Sequence, residues 1–472
     1  MDSQIRKMLR DYHATSDFGL LPKISHLLRR EGIVVTQPLA TKKMRLPDSN
    51  NPDFEEIISC SISDDSSLFA TLSRLRSGVV VLHLWNAFTG DLIKEYKHTI
   101  QEAIFVNSQT LLCIGLQSIF LQNLTNGNIL DIERAEKARP FIYRYCFNKT
   151  SNELFYERRA TDTDVGFVVL GPEGPVLIAR IVNITTGHHV QLTGNFYPDK
   201  SSGRSHSADP VFLSGNTIIV STLASDYTDT LQIYSTITGD LLQQIVPPSE
   251  VRSFAVSPDE TMCMILSRIY NYQGGQLVGS NDQYCLYDLK SGDILHTKTV
   301  RGAVSVCKFS PDSSQILIGI DLPIVGRSQW SYRSQEIPIL MLIDATTGTQ
   351  RILMISPSRE DSQVHGVSTG PMVRSISFAD FLNGGESIIS GEIISRKLSS
   401  SLRIWDSKSG EELSKFGELE GHINCCSISN DSTRLIAGST KKLRDAEGIG
   451  WMGGRYSHEP LQNVLEMWYL GP

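Results

Sequence analysis

Seven times between residues 80 and 420 the chain passes through a short apolar run, a few polar residues ending in glycine, and a second apolar run. The instances are VLHLWNAFTGDLIKEY, IFLQNLTNGNILDI, ARIVNITTGHHVQL, LQIYSTITGDLLQQI, YCLYDLKSGDILHT, LMLIDATTGTQRIL and LRIWDSKSGEELSKF. Their glycines, Gly90, Gly127, Gly187, Gly239, Gly292, Gly348 and Gly410, stand where a hairpin needs a residue that tolerates positive φ. They recur at 37 to 62 residues, too irregular for a solenoid of identical stacked turns.

A second pattern precedes them: apolar run, tight polar turn, apolar run. VRSFAVSPDETMCMIL and AVSVCKFSPDSSQILIGI show it most fully, and IISCSISDDSSLFATL and INCCSISNDSTRLIAGS follow the same plan. Proline presets φ in such a turn and aspartate bonds back to the backbone. Each unit therefore reads as strand a, tight turn, strand b, variable connection, strand c, glycine turn, strand d. A four-stranded antiparallel sheet of this kind cannot bury both faces alone, and radial stacking of such sheets gives a β-propeller.

The residues then carry a family resemblance. LEGHINCCSISNDSTRLIAGS, with Gly421-His422, resembles the opening half of a WD40 repeat, and LRIWDSKSGEEL, with Trp405-Asp406, resembles a closing half. The resemblance covers about residues 57–470 and implies a WD40-like, all-β propeller with degenerate repeats. In that family a histidine, a Ser or Thr of strand b and a strand-c Trp join an Asp in a buried network. By resemblance His422, Ser439 and Trp468 take those places in the last unit, and the family's Asp has no clear match. Strand-c segments fall around Leu84, Leu121, Val182, Ile233, Leu286, Leu342, Ile404 and Met467, which gives eight blades, or seven if the third unit is misread.

The last strand c, NVLEMWYLGP, has no strand d after it. Propellers of this family commonly complete the last blade with an N-terminal strand, and GIVVTQPL, residues 32–39, is the candidate. The expected division is a helical arm, 1–31, and a propeller, 32–472. In the arm Ile5, Met8, Leu9 and Tyr12, then Leu20 or Leu21, Ile24, Leu27 and Leu28, recur at helical spacing. Residues 1–47 carry +5 while the rest carries −12. The arm is thus expected either to pack on the acidic propeller or to dock on a partner or an anionic membrane. A net charge of −7 argues against nucleic acid as the main partner.

The connections are asymmetric. The a–b and c–d turns are nearly all short, whereas the long segments are b–c (about 160–178, 268–282, 321–337 and 441–462) and d–a (195–209 and 356–371). In a propeller these all leave from one face. They also hold the aromatic and arginine residues that dominate binding hot spots. These are Arg327, Trp330, Tyr332 and Arg333, then Trp451, Arg455 and Tyr456, and Tyr270 with Tyr272.

Catalytic signals are weak by comparison. GVSTG around Ser368 matches a hydrolase string but sits in a polar loop without the strand–turn–helix context it requires. No C-x-x-C pair is present, and in a strand the vicinal Cys425 and Cys426 diverge to opposite faces. Quinone-dependent propeller dehydrogenases resemble the TGD strings, yet place a docking Trp where this chain has Lys94, Asp131, Gln243 and His296. No metal or cofactor is therefore expected. The sequence reads as a non-enzymatic, cytoplasmic scaffold or adaptor that binds a protein or peptide and serves as a subunit of a larger complex. The alternative is a propeller enzyme or small-molecule binder with its site at the central channel.

Overall fold

The computed structural model describes residues 20–30, 40–44, 54–75, 77–98, 100–115, 118–134, 142–159, 177–192, 209–223, 229–273, 276–300, 303–321, 337–356, 374–394, 399–420, 422–441 and 462–470, with residues 4, 7, 8 and 10–12. Its strands form eight four-stranded antiparallel sheets, the blades of an eight-bladed β-propeller. They fall into two compact units, residues 1–115, 119–130 and 370–472 in the first and 116–118 and 131–369 in the second, so that the outer strand of blade 2 is divided between Leu130 and Asp131.

The first unit holds four blades. Blade 8 takes its outer strand, β1 (Ala40–Met44), from the N-terminal side. Blade 1 is β2 (Phe54–Ile62), β3 (Leu68–Leu75), β4 (Val80–Asn86) and β5 (Leu92–His98). Blade 2 is β6 (Glu102–Asn107), β7 (Thr110–Ile114), β8 (Ser118–Asn123) and β9 (Ile129–Arg134).

The second unit begins with blade 3, made of β10 (Ile142–Asn148), β11 (Glu153–Arg159), β12 (Leu177–Asn183) and β13 (His189–Gln191). Blade 4 is β14 (Val211–Leu213), β15 (Thr217–Leu223), β16 (Asp229–Ser235) and β17 (Leu241–Ile245). Blade 5 is β18 (Glu250–Val256), β19 (Met262–Gln273), β20 (Gln276–Asp288) and β21 (Ile294–Val300). Blade 6 is β22 (Ala303–Phe309), β23 (Gln315–Asp321), β24 (Ile337–Asp344) and β25 (Gln350–Ser356).

The first unit resumes with blade 7, made of β26 (Arg374–Leu382), β27 (Ser387–Ile394), β28 (Ser399–Asp406) and β29 (Glu412–Glu420). β30 (His422–Ile428), β31 (Arg434–Lys441) and β32 (Gln462–Tyr469) then complete blade 8.

Burial follows from stacking. Strands b and c are covered on both faces, so in β23 Ile316, Leu317 and Ile318 are all fully buried. Between blades 4 and 5, Ile219, Leu231 and Ile233 pack on Phe254, Cys263 and Ile265. Between blades 7 and 8, Ile389 and Leu402 pack on Leu435, Ala437 and Trp468. The outer strands d are thin on burial: Ile93, Leu130, Leu242 and Ile294 all stand at least half exposed.

Turn chemistry sets the registers. Strand c of blades 1 to 7 ends in Asn86, Asn123, Asn183, Ser235, Asp288, Asp344 or Asp406. Each of these side chains accepts the backbone N–H two and three residues on. The glycine that follows has positive φ in all seven turns. At Gly239 a Cβ would also lie 2.3 Å from the Gln191 carbonyl of the preceding blade, so no other residue fits there. The a–b turns of blades 1, 5, 6 and 8 share a second device. In blade 6 Asp312 accepts the Ser310 hydroxyl at 2.6 Å, the Ser314 N–H at 3.1 Å and the Ser314 hydroxyl at 2.8 Å.

These carboxylates are held below the ordinary aspartate range. At Asp288, Asp344 and Asp406 the leading cause is the backbone N–H three residues on, and at Asp312 it is the Ser310 hydroxyl. At Asp65, Asp259 and Asp431 burial pushes upward, but hydroxyl and N–H donors outweigh it. A depressed folded-state value stabilises the fold above the unfolded value of about 3.9, and that stability is lost as pH falls through the folded value. The urea midpoint should therefore hold steady from pH 6 to 5 and fall steeply toward pH 3. A midpoint unchanged at pH 3 would contradict these turns as stabilising devices.

Two expectations about the N-terminal region resolve differently. The strand completing blade 8 is Ala40–Met44, immediately after the expected 32–39, which lie outside the described residues. Its register runs from Ala40 opposite Tyr469 to Met44 opposite Leu465, and Lys43 Nζ lies 3.2 Å from Glu466. The reason is physical: an outer strand is half solvated, so ATKKM serves as well as an apolar run. The helix α1 (Leu21–Arg30) turns Leu21, Ile24, Leu27 and Leu28 onto Tyr469, so this stripe packs on the propeller.

Candidate functional site

The end of each blade where strands b and c are joined is the end from which the long connections leave. Most of the residues expected to bind a partner, Arg327, Trp330, Tyr332, Arg333, Trp451, Arg455 and Tyr456, lie outside the described residues. Tyr270 and Tyr272 fall in described backbone, and there the expected loop 268–282 is instead regular structure. β19 and β20 continue as one antiparallel hairpin to Gln273 and Gln276, with Tyr270 opposite Ser280 and Tyr272 opposite Leu277. At 12 and 13 residues these strands outreach every other strand of the unit.

The root of this hairpin is a charged cluster that the sequence did not reveal. Asp282, almost fully buried, accepts Arg268 Nε at 3.1 Å and the Val304 N–H of blade 6 at 2.8 Å, and Arg252 stands 4.0 Å away. Burial pushes the Asp282 carboxyl up, opposed by Val304 and Arg268. One blade earlier Asp229, six residues before the turn-capping Ser235 as Asp282 is before Asp288, accepts the Val251 N–H of blade 5 at 2.6 Å. Each aspartate thus ties one blade's strand c to the next blade's strand a.

At the same end of blades 3 and 4, Arg144 forks onto the buried Glu157. It also donates to Ser221 of blade 4, at 2.9 Å to the hydroxyl and 2.8 Å to the carbonyl. Asp209 is pushed up by burial and pulled back by Arg144. In the first unit Arg74 meets Glu56 at 2.9 Å, and Arg403 with Ser401 holds the fully buried Glu392. These groups stiffen the platform from which the connections rise. Among the described residues no set of three His, Cys, Asp or Glu side chains converges as a metal site.

The residues assigned by resemblance to a WD network lie as follows. Trp405 Nε1 donates to Ser390 Oγ at 2.9 Å, and Trp85 Nε1 donates to Thr71 Oγ1 at 2.9 Å. In both blades the hydroxyl stands two residues beyond the ladder partner of the indole, Ile388 or Phe69. The same offset from Leu435, the partner of Trp468, falls on Ala437, while Ser439 pairs with Val464. His422 opens β30 opposite Thr440. Asp406 caps its own c–d turn, at 3.0 Å from the Lys408 N–H and 2.5 Å from the Ser409 N–H. Arg434 is a further residue that sequence reasoning missed. It is buried, lies over the Phe88 ring at 4.4 Å and donates to the Ser66 carbonyl, joining blade 8 to blade 1.

Repeated Trp–hydroxyl pairs, capped turns and an outer strand supplied from the N-terminal side define a propeller of eight antiparallel blades. Comparison narrows the class. The family described as "WD domain, G-beta repeat" matches residues 413–444, the outer strand of blade 7 and the first two strands of blade 8, within a chain whose fold is an eight-bladed β-propeller. A solved structure described as the Dos1 propeller is similar over 92% of this chain and 95% of its own, at 13% identity and a TM-score of 0.52, a likeness of fold. Kuenenia stuttgartiensis hydrazine synthase is similar over 82% of this chain and 93% of its own, at 9% identity and a TM-score of 0.44. No curated protein matches the chain. Among the described residues no helix is long and apolar enough to cross a membrane.

Proposed function

We propose that this propeller is a non-enzymatic scaffold that takes a protein or peptide partner on the insert-bearing end of its blades. WD40 propellers are typically protein-interaction scaffolds. The observation carrying the reading is the blade 5 hairpin. It extends blade 5 beyond its neighbouring strands, carries Tyr270 and Tyr272, and is rooted in the buried Asp282 cluster, whereas the opposite ends of the blades close in short capped turns. A rigid frame with variable connections at one end is the arrangement that places recognition in loops. Trp330 and Trp451 supply, in the b–c connections of blades 6 and 8, the large amphipathic side chains suited to hot spots.

Two double variants test this: Tyr270→Ala with Tyr272→Ala, and Trp330→Ala with Trp451→Ala. Each should keep the parent melting temperature and lose about 30-fold or more of partner recovery in quantitative affinity purification, since one hot-spot side chain contributes about 2 kcal/mol. Full recovery by both variants would remove this end of the blades as the binding surface.

A further inference from the structure

Cys60 and Cys425 are 365 residues apart in the chain and neighbours in the fold. Cys60 lies in β2, the first strand of blade 1, and Cys425 in β30, the first strand of blade 8. These strands belong to one unit and approach within 8 Å between Cα atoms. Both side chains pack on the cluster formed by Ile57, Ile436, Leu465 and Met467. Cys60 Sγ lies 3.8 Å from the Ile436 carbonyl, in the strand that pairs with that of Cys425. Gly438 stands opposite Cys425 in the ladder and leaves room for its sulfur, which would lie only 2.9 Å from a Cβ placed there. Cys426 turns the other way, into the cluster around Trp468 and Leu435, as vicinal strand residues must.

We infer that Cys60 and Cys425 form a peroxide-responsive dithiol, whose oxidation to a disulfide bonds the first blade covalently to the last. The chemistry balances with hydrogen peroxide as oxidant. One of the two thiols, as its thiolate, attacks one peroxide oxygen, the O–O bond breaks, and hydroxide leaves and is protonated to water. The resulting sulfenic acid is attacked by the other sulfur, the S–S bond forms, and the hydroxyl departs as the second water. Two thiols and one peroxide become one disulfide and two waters. The bond would reinforce the junction that β1 already closes without covalent chemistry, and a loop of this length constrains the unfolded chain strongly.

The test uses the full-length protein treated with hydrogen peroxide, alkylated, and digested without reduction. Mass spectrometry should find the Cys60 peptide linked to the Cys425–Cys426 peptide. The link should persist in Cys426→Ser, vanish in Cys425→Ser, and raise the melting temperature of the parent by about 5 °C, reversibly with dithiothreitol. Native protein that stays unlinked at a peroxide dose that oxidises the urea-unfolded chain would overturn the inference. So would linkage through Cys426, or oxidation of these thiols only to sulfinic acids.

Discussion

Replacing Arg268 by alanine should cost about 3 to 5 kcal/mol of folding stability at pH 8 and distinctly less at pH 5. The size follows from what is left behind: Asp282 is almost fully buried, and removing one partner of a buried pair strands a charge in low dielectric. The pH dependence follows from the carboxyl. Burial already pushes Asp282 up, and Arg268 is one of the groups pulling it down, so the variant's carboxyl rises further. The unfolded chain releases this proton near the usual value of about 3.9, while the folded chain keeps it to higher pH. A raised folded-state value contributes stability that is complete below the unfolded value and lost as pH rises through the folded one. The deficit of Arg268→Ala against the parent, read from urea midpoints at each pH, should therefore grow from pH 5 to pH 8. A second substitution, Asp282→Asn, removes the charge while leaving an oxygen for the Val304 N–H, and should recover much of the loss. Equal deficits at both pH values, with no rescue, would show that the stranded charge is not the cause.

Asp282 also marks where the sequence stops being informative. The strand–turn–strand plan was legible because its determinants are local: period-two apolar runs, Ser-x-Asp turns and glycines at positive φ all act within a few residues. The cluster partners are not local. Arg434 reaches the Ser66 carbonyl across 368 positions, and Arg144 reaches Ser221 across 77. Only the register of two blades brings such groups together, and no spacing rule encodes it. The blade 5 hairpin was hidden for a different reason. SRIYNYQGGQLVGSNDQ has little of the apolar alternation by which a strand is read from sequence, and its central QGGQ reads as a loop. The WD assignment shows a third limit. Trp468 and Ser439 are the right residue types, but the ladder sets the hydroxyl offset seen in blades 1 and 7 on Ala437.

The closing strand gives the second large effect. A chain lacking residues 1–45 should fail to yield a stable monomer, because the deletion strips cover from the same place in three ways. It removes Met44, buried against Leu465 and Ile57, and the four aliphatic residues of α1 that pack with Tyr469. At about 1.5 to 3 kcal/mol for each buried side chain, the five together match the 5 to 15 kcal/mol that typically separates folded from unfolded states. It leaves the nearly buried Glu466 without Lys43. It also exposes Leu465–Tyr469 of β32 as an unpaired edge bearing Leu465, Met467 and Trp468, a template for pairing with other chains. Size-exclusion chromatography should show the truncated chain as aggregate, with increased binding of a hydrophobic dye. A peptide of residues 18–46 added during refolding should restore monomer in proportion to its concentration, since a ligand that binds only the folded state stabilises it by mass action. The same peptide carrying Met44→Asp should restore little, because its strand would carry a carboxylate into the Ile57 and Leu465 cluster. A truncated chain that stays monomeric at the parent's melting temperature would show that blade 8 is held by its own three strands, and that β1 is an addition to a ring already closed.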